Sequence, residues 1–80
     1  MIIKPIMTEK VVKLIELENT IVFLVERKHN KKEIKEYLEK FFDVKIDRIR
    51  TLIKDNRKIV YVKLIKSNLA SNLATKLGIL

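Results

Sequence analysis

The sequence predicts an α+β fold in which a mostly antiparallel four-stranded sheet carries helices on both of its faces. The apolar pattern switches between strand and helix periodicity in the order strand, helix, strand, helix, strand, strand, helix. The last two strand patterns are separated by a short turn, which predicts a hairpin. Residues 21–25 form a continuous β-branched and aromatic run. Because strands buried on both faces have this composition, helices should cover both sides of the sheet.

The length of the chain predicts a single domain that spans residues 1–80. A chain of this size buries roughly 60–65% of its unfolded surface, which is enough for one modest core. The hydrophobic content of 48% can supply that core, and the single Gly and single Pro favour short loops.

Targeting signals and cysteine chemistry are not expected. No apolar run approaches the length of a membrane span, and four early charges interrupt any signal peptide, namely Lys4, Glu9, Lys10 and Lys13. The absence of cysteine excludes disulfides and thiolate metal sites, and it is compatible with a reducing cytoplasm. We expect no cofactor and no metal.

The first predicted elements are an edge strand over residues 1–4 and a helix from Thr8 to about Leu17. The Lys4–Pro5 step should be extended, since proline disfavours helix at the residue before it. Thr8 can cap the helix, whose apolar positions recur at helical spacing at Met7, Val11, Leu14 and Ile15. Asn19 can end it, because Asn tolerates the left-handed conformation.

The second helix is predicted after residues 21–25, which form the next strand. Asn30 and Glu33 have the spacing of a capping box. One face of the following segment is apolar, with Lys and Glu opposite, and it carries Ile34, Leu38, Phe41 and Phe42.

The predicted hairpin joins residues 44–53 to residues 58–65 through Asp55 and Asn56. The apolar parity shifts between Ile46 and Ile49, which predicts a β-bulge or a kinked entry. A last helix should follow, capped by Ser67 or Ser71 and ended at Gly78.

The charge of the chain predicts a polyanionic partner. Its 18 Lys and Arg against 10 Asp and Glu give a net charge of +8. Nucleic acid is favoured over an anionic membrane, because the apolar helix faces are needed for the core. The alternative is that the charge serves solubility alone.

Three clusters are candidates for contact with RNA. The amino-terminal corner offers cations, a hydroxyl and a carboxylate for phosphates and sugar hydroxyls, through Lys4, Thr8, Glu9, Lys10 and Lys13. The turn before the second helix offers side chains and the free backbone amides of the helix start to a phosphate. Its residues are Arg27, Lys28, Asn30 and Lys31. The hairpin is a basic protrusion that could enter a groove of the RNA or lie along its backbone. Its candidate residues are Arg48, Arg50, Thr51, Lys54, Arg57 and Lys58.

Arginine on a strand has a specific use. Arg48 and Arg50 lie two residues apart, so both should project from one sheet face, where a guanidinium can grip phosphate or stack on a base. The alternative is that these arginines have no binding role and that a charged strand face keeps the sheet soluble.

Aromatic residues argue against a reader of single-stranded RNA bases. No basic-Gly-aromatic signature is present, and Phe23, Phe41 and Phe42 belong to predicted core stripes. Tyr61 should pack with its hydroxyl outward. We therefore expect binding to depend on shape and backbone contacts.

Catalysis is not expected. The single histidine, His29, lies in a turn without partners for a metal site or a triad. A small basic ferredoxin-like phosphatase would need a glycine-rich anion loop, but the sole glycine lies near the carboxyl end.

Four ordered segments resemble the large-subunit ribosomal protein family numbered twenty-three. The first is Lys4–Pro5 with Thr8, Glu9 and Lys10, which matches a basic residue, Pro, two variable positions and Thr-Glu-Lys. The later segments are residues 49–51 with Lys58 after the hairpin, then residues 61–62 and 73–79. Because the late hairpin has no long insertion, the chain resembles the compact archaeal form of the family.

This resemblance implies an α/β/α sandwich and a structural role in the large ribosomal subunit in the cytoplasm. It implies binding to the third domain of the large-subunit rRNA beside the polypeptide exit tunnel. It also implies a neighbouring ribosomal protein, numbered twenty-nine, and docking of factors such as the signal recognition particle. The positions that match the family directly are Lys4, Pro5, Thr8, Glu9, Lys10, Thr51 and Lys58.

Two departures from the family pattern affect the hairpin. Arg50 stands where Asn is frequent, which favours phosphate contact over a specific base or sugar hydrogen bond. Asp55–Asn56 replaces a frequent glycine, and Asn can adopt positive φ. Because the hairpin is short, we do not expect it to contact the nascent chain.

A different class of function stays open on the sequence alone. The chain could be a protein-docking adaptor whose charge is incidental. Exposed apolar patches would favour that function, and a continuous basic face would favour RNA.

Overall fold

The computed structural model describes residues 2–78, which form four strands and three helices. In chain order these are β1 (Ile3–Pro5), α1 (Glu9–Glu18), β2 (Thr20–Glu26), α2 (Lys31–Phe42), β3 (Ile46–Lys54), β4 (Arg57–Leu64) and α3 (Ala70–Lys76). Over this part of the chain, every helix is too short or too polar to cross a membrane.

The four strands form one sheet in the order β1-β2-β4-β3, with every neighbouring pair antiparallel. This confirms the predicted α+β class. The strands β1 and β3 are the edges, and Pro5 lies on an edge, where the lack of an amide donor does not break the ladder.

One face of the sheet carries the centre of the hydrophobic core. Residues that pair directly on antiparallel strands point to the same side, so Ile21 with Val62 and Phe23 with Val60 share this face. All four side chains are completely buried. We call this side the core face.

The opposite face is covered only in part. Val22 and Thr20 of β2 are buried there, which agrees with the prediction that β2 is buried on both sides. Toward β4 and β3 the same face is open, since Lys63, Arg48 and Arg50 are all exposed. The open part of the sheet is therefore available for a partner.

Local capping fixes the first two helices as predicted. The hydroxyl of Thr8 accepts from the amide of Val11 at 3.2 Å. Asn30 and Glu33 form a reciprocal capping box at the start of α2, with donor–acceptor distances of 2.8 and 3.2 Å. The helix α2 then buries Ile34 and Leu38 completely.

Asn19 ends α1 in the left-handed conformation, with φ of 50°, and its side chain also contacts one distant segment, residues 64–70. Its Oδ1 accepts from the amide of Ala70 at 2.7 Å. Its Nδ2 lies 2.8–3.2 Å from three backbone carbonyl oxygens, those of Leu64, Ile65 and Asn68. The side chain therefore ties the end of α1 to the β4–α3 connection.

The hairpin between β3 and β4 has the predicted irregularity and turn. The pairing register shifts between Ile46 and Arg48, which is the expected bulge. Asp55 and Asn56 have φ of 51° and 65°. Two consecutive left-handed residues match the twist of the strands that they connect.

The start of α3 differs from the prediction that Ser67 or Ser71 caps it. The residue before the helix is Leu69, and no side chain of its own segment provides a cap. The physical reason is the contact described above: Asn19 already accepts from the amide of Ala70, so the cap comes from a distant residue. Gly78 has the predicted positive φ, and Ile79 lies outside the described residues.

Phe41 is not in the core, contrary to the prediction. It is 64% exposed and stacks on Tyr37 with ring centroids 4.5 Å apart. The side chains of α2 that pack in or against the core include Ile34, Leu38 and the half-buried Phe42. Phe41 lies outside this contact stripe.

Candidate nucleic-acid interface

The sheet register brings six cations onto its open side. Arg48 pairs with Lys63, and Lys54 pairs with Arg57, so each pair shares a face. The alternation of side chains places Arg50 and Lys4 on that same side. We call this surface the basic face, which consists of Lys4, Arg48, Arg50, Lys54, Arg57 and Lys63.

The cations of the basic face are exposed and form no ion pair within residues 2–78, although Glu26 lies directly opposite Arg57 on the same face. The ion pairs in that range are Lys28 with Glu26 at 3.6 Å and His29 with Glu33 at 3.4 Å. Alternate residues of a strand lie about 6.6 Å apart, so the positive charges are close enough to repel one another. A polyanion would relieve this repulsion.

Arg50 and Tyr61 form a stacked pair at the centre of this surface. The guanidinium carbon of Arg50 lies 5.1 Å from the centroid of the Tyr61 ring. The two residues are directly paired across β3 and β4, and Tyr61 is half-buried. The contact holds the guanidinium over the sheet, because a cation is attracted to the face of an aromatic ring.

The predicted hairpin residues divide between the two sides of the sheet. Four of them belong to the basic face, whereas Thr51 pairs with Val60 and Lys58 pairs with Val25 on the core face. The ammonium group of Lys58 donates to the backbone carbonyl of His29. Lys58 therefore holds the turn before α2 against β4.

The turn before α2 lies beside the tip of the hairpin. The guanidinium of Arg27 donates to the side-chain carbonyl of Asn56 at 2.9 Å. Lys28 is paired with Glu26, and Asn30 caps the helix. Lys31, the first residue of α2, lines a groove that also includes Arg48, so the start of α2 adjoins the basic face at β3.

Glu33 lies exposed at the start of α2. The backbone amide of Asn30 donates to the Glu33 carboxylate, and His29 lies beside this carboxylate, so the pKa of Glu33 is lowered from the usual value.

Within residues 2–78, no three His, Cys, Asp or Glu side chains meet as potential metal ligands.

The predicted amino-terminal corner is divided between the sheet and α1. Lys4 lines a small cavity with Arg57 on the basic face. Thr8, Glu9, Lys10 and Lys13 are exposed on the first turns of α1. The Thr8 hydroxyl accepts from Val11 and keeps its own proton free to donate.

The substitution Thr8→Val should lower the free energy of unfolding by about 1 kcal/mol, because it leaves the Val11 amide without its cap. Thr8→Ser keeps the hydroxyl and should retain stability. Thermal unfolding followed by circular dichroism measures both variants. Equal stability of the valine and serine variants would show that the cap contributes nothing.

Lys63 was missed by the sequence interpretation. It lies at the far end of β4 and pairs with Arg48 across the bulge. The signal was present in the alternation of Arg57, Tyr61 and Lys63 along one side of the strand. Without the register, however, nothing in the sequence connects Lys63 with Arg48.

Comparison with known proteins gives consistent matches over the chain. Residues 1–71 match the family model described as Ribosomal protein L23. The chain is 46% identical over 76 residues to large ribosomal subunit protein uL23 of Caldivirga maquilingensis, covering 94% of this chain and 88% of that protein. It is 40% identical over 79 residues to the protein of the same name from Methanothermobacter thermautotrophicus, covering 98% and 92%.

Proposed function

The chain belongs to the ribosomal protein L23 family, and from this premise we propose that it is a structural constituent of the large ribosomal subunit that binds rRNA. The family is a class of structural proteins rather than enzymes, so we propose no catalytic activity. The proposed location is the cytoplasmic ribosome. Residues 1–80 would act there as one RNA-binding domain.

The observation that carries the RNA-binding proposal is the basic face. Three strands contribute its six cations, and none of these is neutralised by an ion pair within the described part of the chain. Release of condensed counterions drives the binding of such a surface to a phosphate backbone.

The proposed contacts extend from the basic face to the neighbouring segments. Arg48, Arg50, Lys54 and Arg57 would bind phosphates, together with Lys4. The turn would add contacts next to the hairpin tip through Arg27, Lys28, Asn30 and Lys31, with Thr51 and Lys58 on the other side of the strands. The first turns of α1 would form a separate contact through Thr8, Glu9, Lys10 and Lys13.

The surroundings in the ribosome are also part of the proposal. Family membership supports a position on the third domain of the rRNA near the exit tunnel, beside the ribosomal protein numbered twenty-nine. Docking of nascent-chain factors, including the signal recognition particle, is supported by exposed apolar side chains. Leu17 is 80% exposed and Leu69 is 54% exposed, and both line one groove. These same residues keep the protein-docking adaptor as the second candidate function.

Neutralising the basic face tests the RNA-binding proposal. The variant Arg48→Gln/Arg50→Gln/Lys54→Gln/Arg57→Gln should lose about 10²-fold in affinity for a third-domain rRNA fragment at 100 mM salt. The matched control removes four exposed cations elsewhere: Lys40→Gln/Lys45→Gln/Lys66→Gln/Lys76→Gln. Filter binding measures both, and circular dichroism confirms that both are folded. Equal losses in the two variants would reject the basic face as the binding surface.

A further inference from the structure

A small polar cleft lies on the open side of the sheet, where β2, β4 and β3 begin or end. It is lined by Glu18, Thr20, Arg48, Arg50, Tyr61 and Lys63. Its floor is formed by strand residues that pair across the sheet, Thr20 with Lys63 and Arg50 with Tyr61. The cleft therefore has a rigid base, unlike a site built on a loop.

The cleft combines three kinds of group at separate positions. The stacked Arg50–Tyr61 pair offers a flat guanidinium, with the ring 5.1 Å beneath it. Arg48 and Lys63 are neighbouring cations from two strands. Glu18 adds a carboxylate at the end of α1, and it has no ion pair within residues 2–78.

Each group matches one part of a nucleotide. Bases of unpaired RNA stack on aromatic side chains or on guanidinium planes, and their Watson–Crick edges form hydrogen bonds with protein. Cations grip the phosphate, and a carboxylate accepts from a base amino group. A duplex cannot supply these contacts, because its bases are stacked internally and their edges are paired.

We propose that this cleft binds one unpaired nucleotide of RNA. The base stacks on Arg50, the phosphate lies between Arg48 and Lys63, and Glu18 accepts from an exocyclic amino group. Adenine and cytosine carry that group and uracil does not, so uridine should bind least well. The inference deepens the proposed function, on which it rests, by adding base readout to backbone contact. It also departs from the expectation that base stacking has no part in binding.

The test uses tyrosine fluorescence, since the chain has no Trp and two Tyr. The substitution Tyr37→Phe leaves Tyr61 as the only fluorophore. Single-stranded A8, C8 and U8 RNA and a 16-base-pair RNA duplex are titrated separately, with correction for RNA absorption. We expect A8 and C8 to quench Tyr61 more strongly than the duplex does at equal occupancy, and to bind more tightly than U8.

Two further substitutions separate stacking from charge. Arg50→Lys keeps the charge and loses the plane, so it should weaken binding of A8 and C8 about tenfold while changing duplex affinity by less than about twofold. Lys40→Arg, a charge-conserving exchange on α2 outside both the basic face and the cleft, should leave both unchanged. Glu18→Gln should reduce the preference for A8 and C8 over U8.

Different outcomes reject different proposals. Equal quenching by single strands and duplex, or no effect of Arg50→Lys on A8, would overturn the nucleotide cleft while the salt-dependent binding of RNA persists. No salt-dependent binding of any RNA would instead overturn the proposed function.

Discussion

Affinity for a third-domain rRNA fragment should fall by about 10³–10⁵-fold when salt rises from 50 to 200 mM. This range corresponds to roughly 6–10 neutralised phosphates. The basic face supplies six cations, which accounts for the lower end, and the turn and α1 supply the others. Fluorescence anisotropy at a series of salt concentrations measures the slope of log affinity against log salt.

The neutralised variant serves as the control for this slope. Removing four phosphate contacts should reduce the magnitude of the slope by about 3.6, at roughly 0.9 for each contact on duplex RNA treated as for DNA. The variant with four cations removed elsewhere should keep a slope close to that of the unmodified chain. A flat response of the unmodified chain to salt would contradict the electrostatic mechanism.

Asn19→Ala should lower the free energy of unfolding by about 3–4 kcal/mol, the largest loss that we expect from one polar substitution. The side chain takes part in hydrogen bonds with four backbone groups of the β4–α3 connection, including the Ala70 amide. Removing it leaves the partly buried amide of Ala70 without a partner among the described residues. It also takes one donor from the carbonyls of Leu64, Ile65 and Asn68, although the Ile65 carbonyl still accepts from the amide of Asn68. Alanine is also strained at the φ of 50° found here. Chemical denaturation followed by circular dichroism measures the change.

Asn56→Ala is the matched control, because Asn56 also has positive φ, at 65°, and its side chain forms a hydrogen bond only with the exposed Arg27 among the described residues. It should cost about 1–2 kcal/mol through backbone strain. Asn19→Gly relieves the backbone strain of the alanine variant but does not restore the hydrogen bonds of the Asn19 side chain. This variant should therefore remain clearly less stable than the unmodified chain. If Asn19→Ala costs no more than Asn56→Ala, the contacts of Asn19 do not stabilise the fold.

The caps of α1 and α2 and the hairpin turn, which depend on neighbours in the sequence, were predicted correctly, whereas the cap of α3 was not. The Thr8 cap and the Asn30–Glu33 box each join atoms of residues three positions apart. The Asp55–Asn56 turn depends on two adjacent residues that tolerate left-handed φ. Because the chemistry of these features lies within one turn of chain, composition and spacing are sufficient to indicate them.

Predictions of side-chain burial were less secure. Phe41 and Phe42 both fit the apolar stripe of α2, but only Phe42 packs on the core, and Phe41 is exposed. Helical periodicity indicates which side of a helix is apolar, but it does not separate adjacent positions at the border of the stripe. The position of the sheet beneath the helix decides which of two adjacent aromatic residues is covered.

The sequence by itself determined the element order, the α+β class, the caps of α1 and α2, the hairpin turn and the excess of cations. The tertiary structure alone decided which cations share a surface. Lys4 lines a cavity with Arg57, and Arg48 meets Lys63, only because the strand order and register align them. Asn19 meets its side-chain partners 45–51 residues along the chain. The physical reason is that local preferences act over a few residues, whereas register is set by packing of the whole sheet.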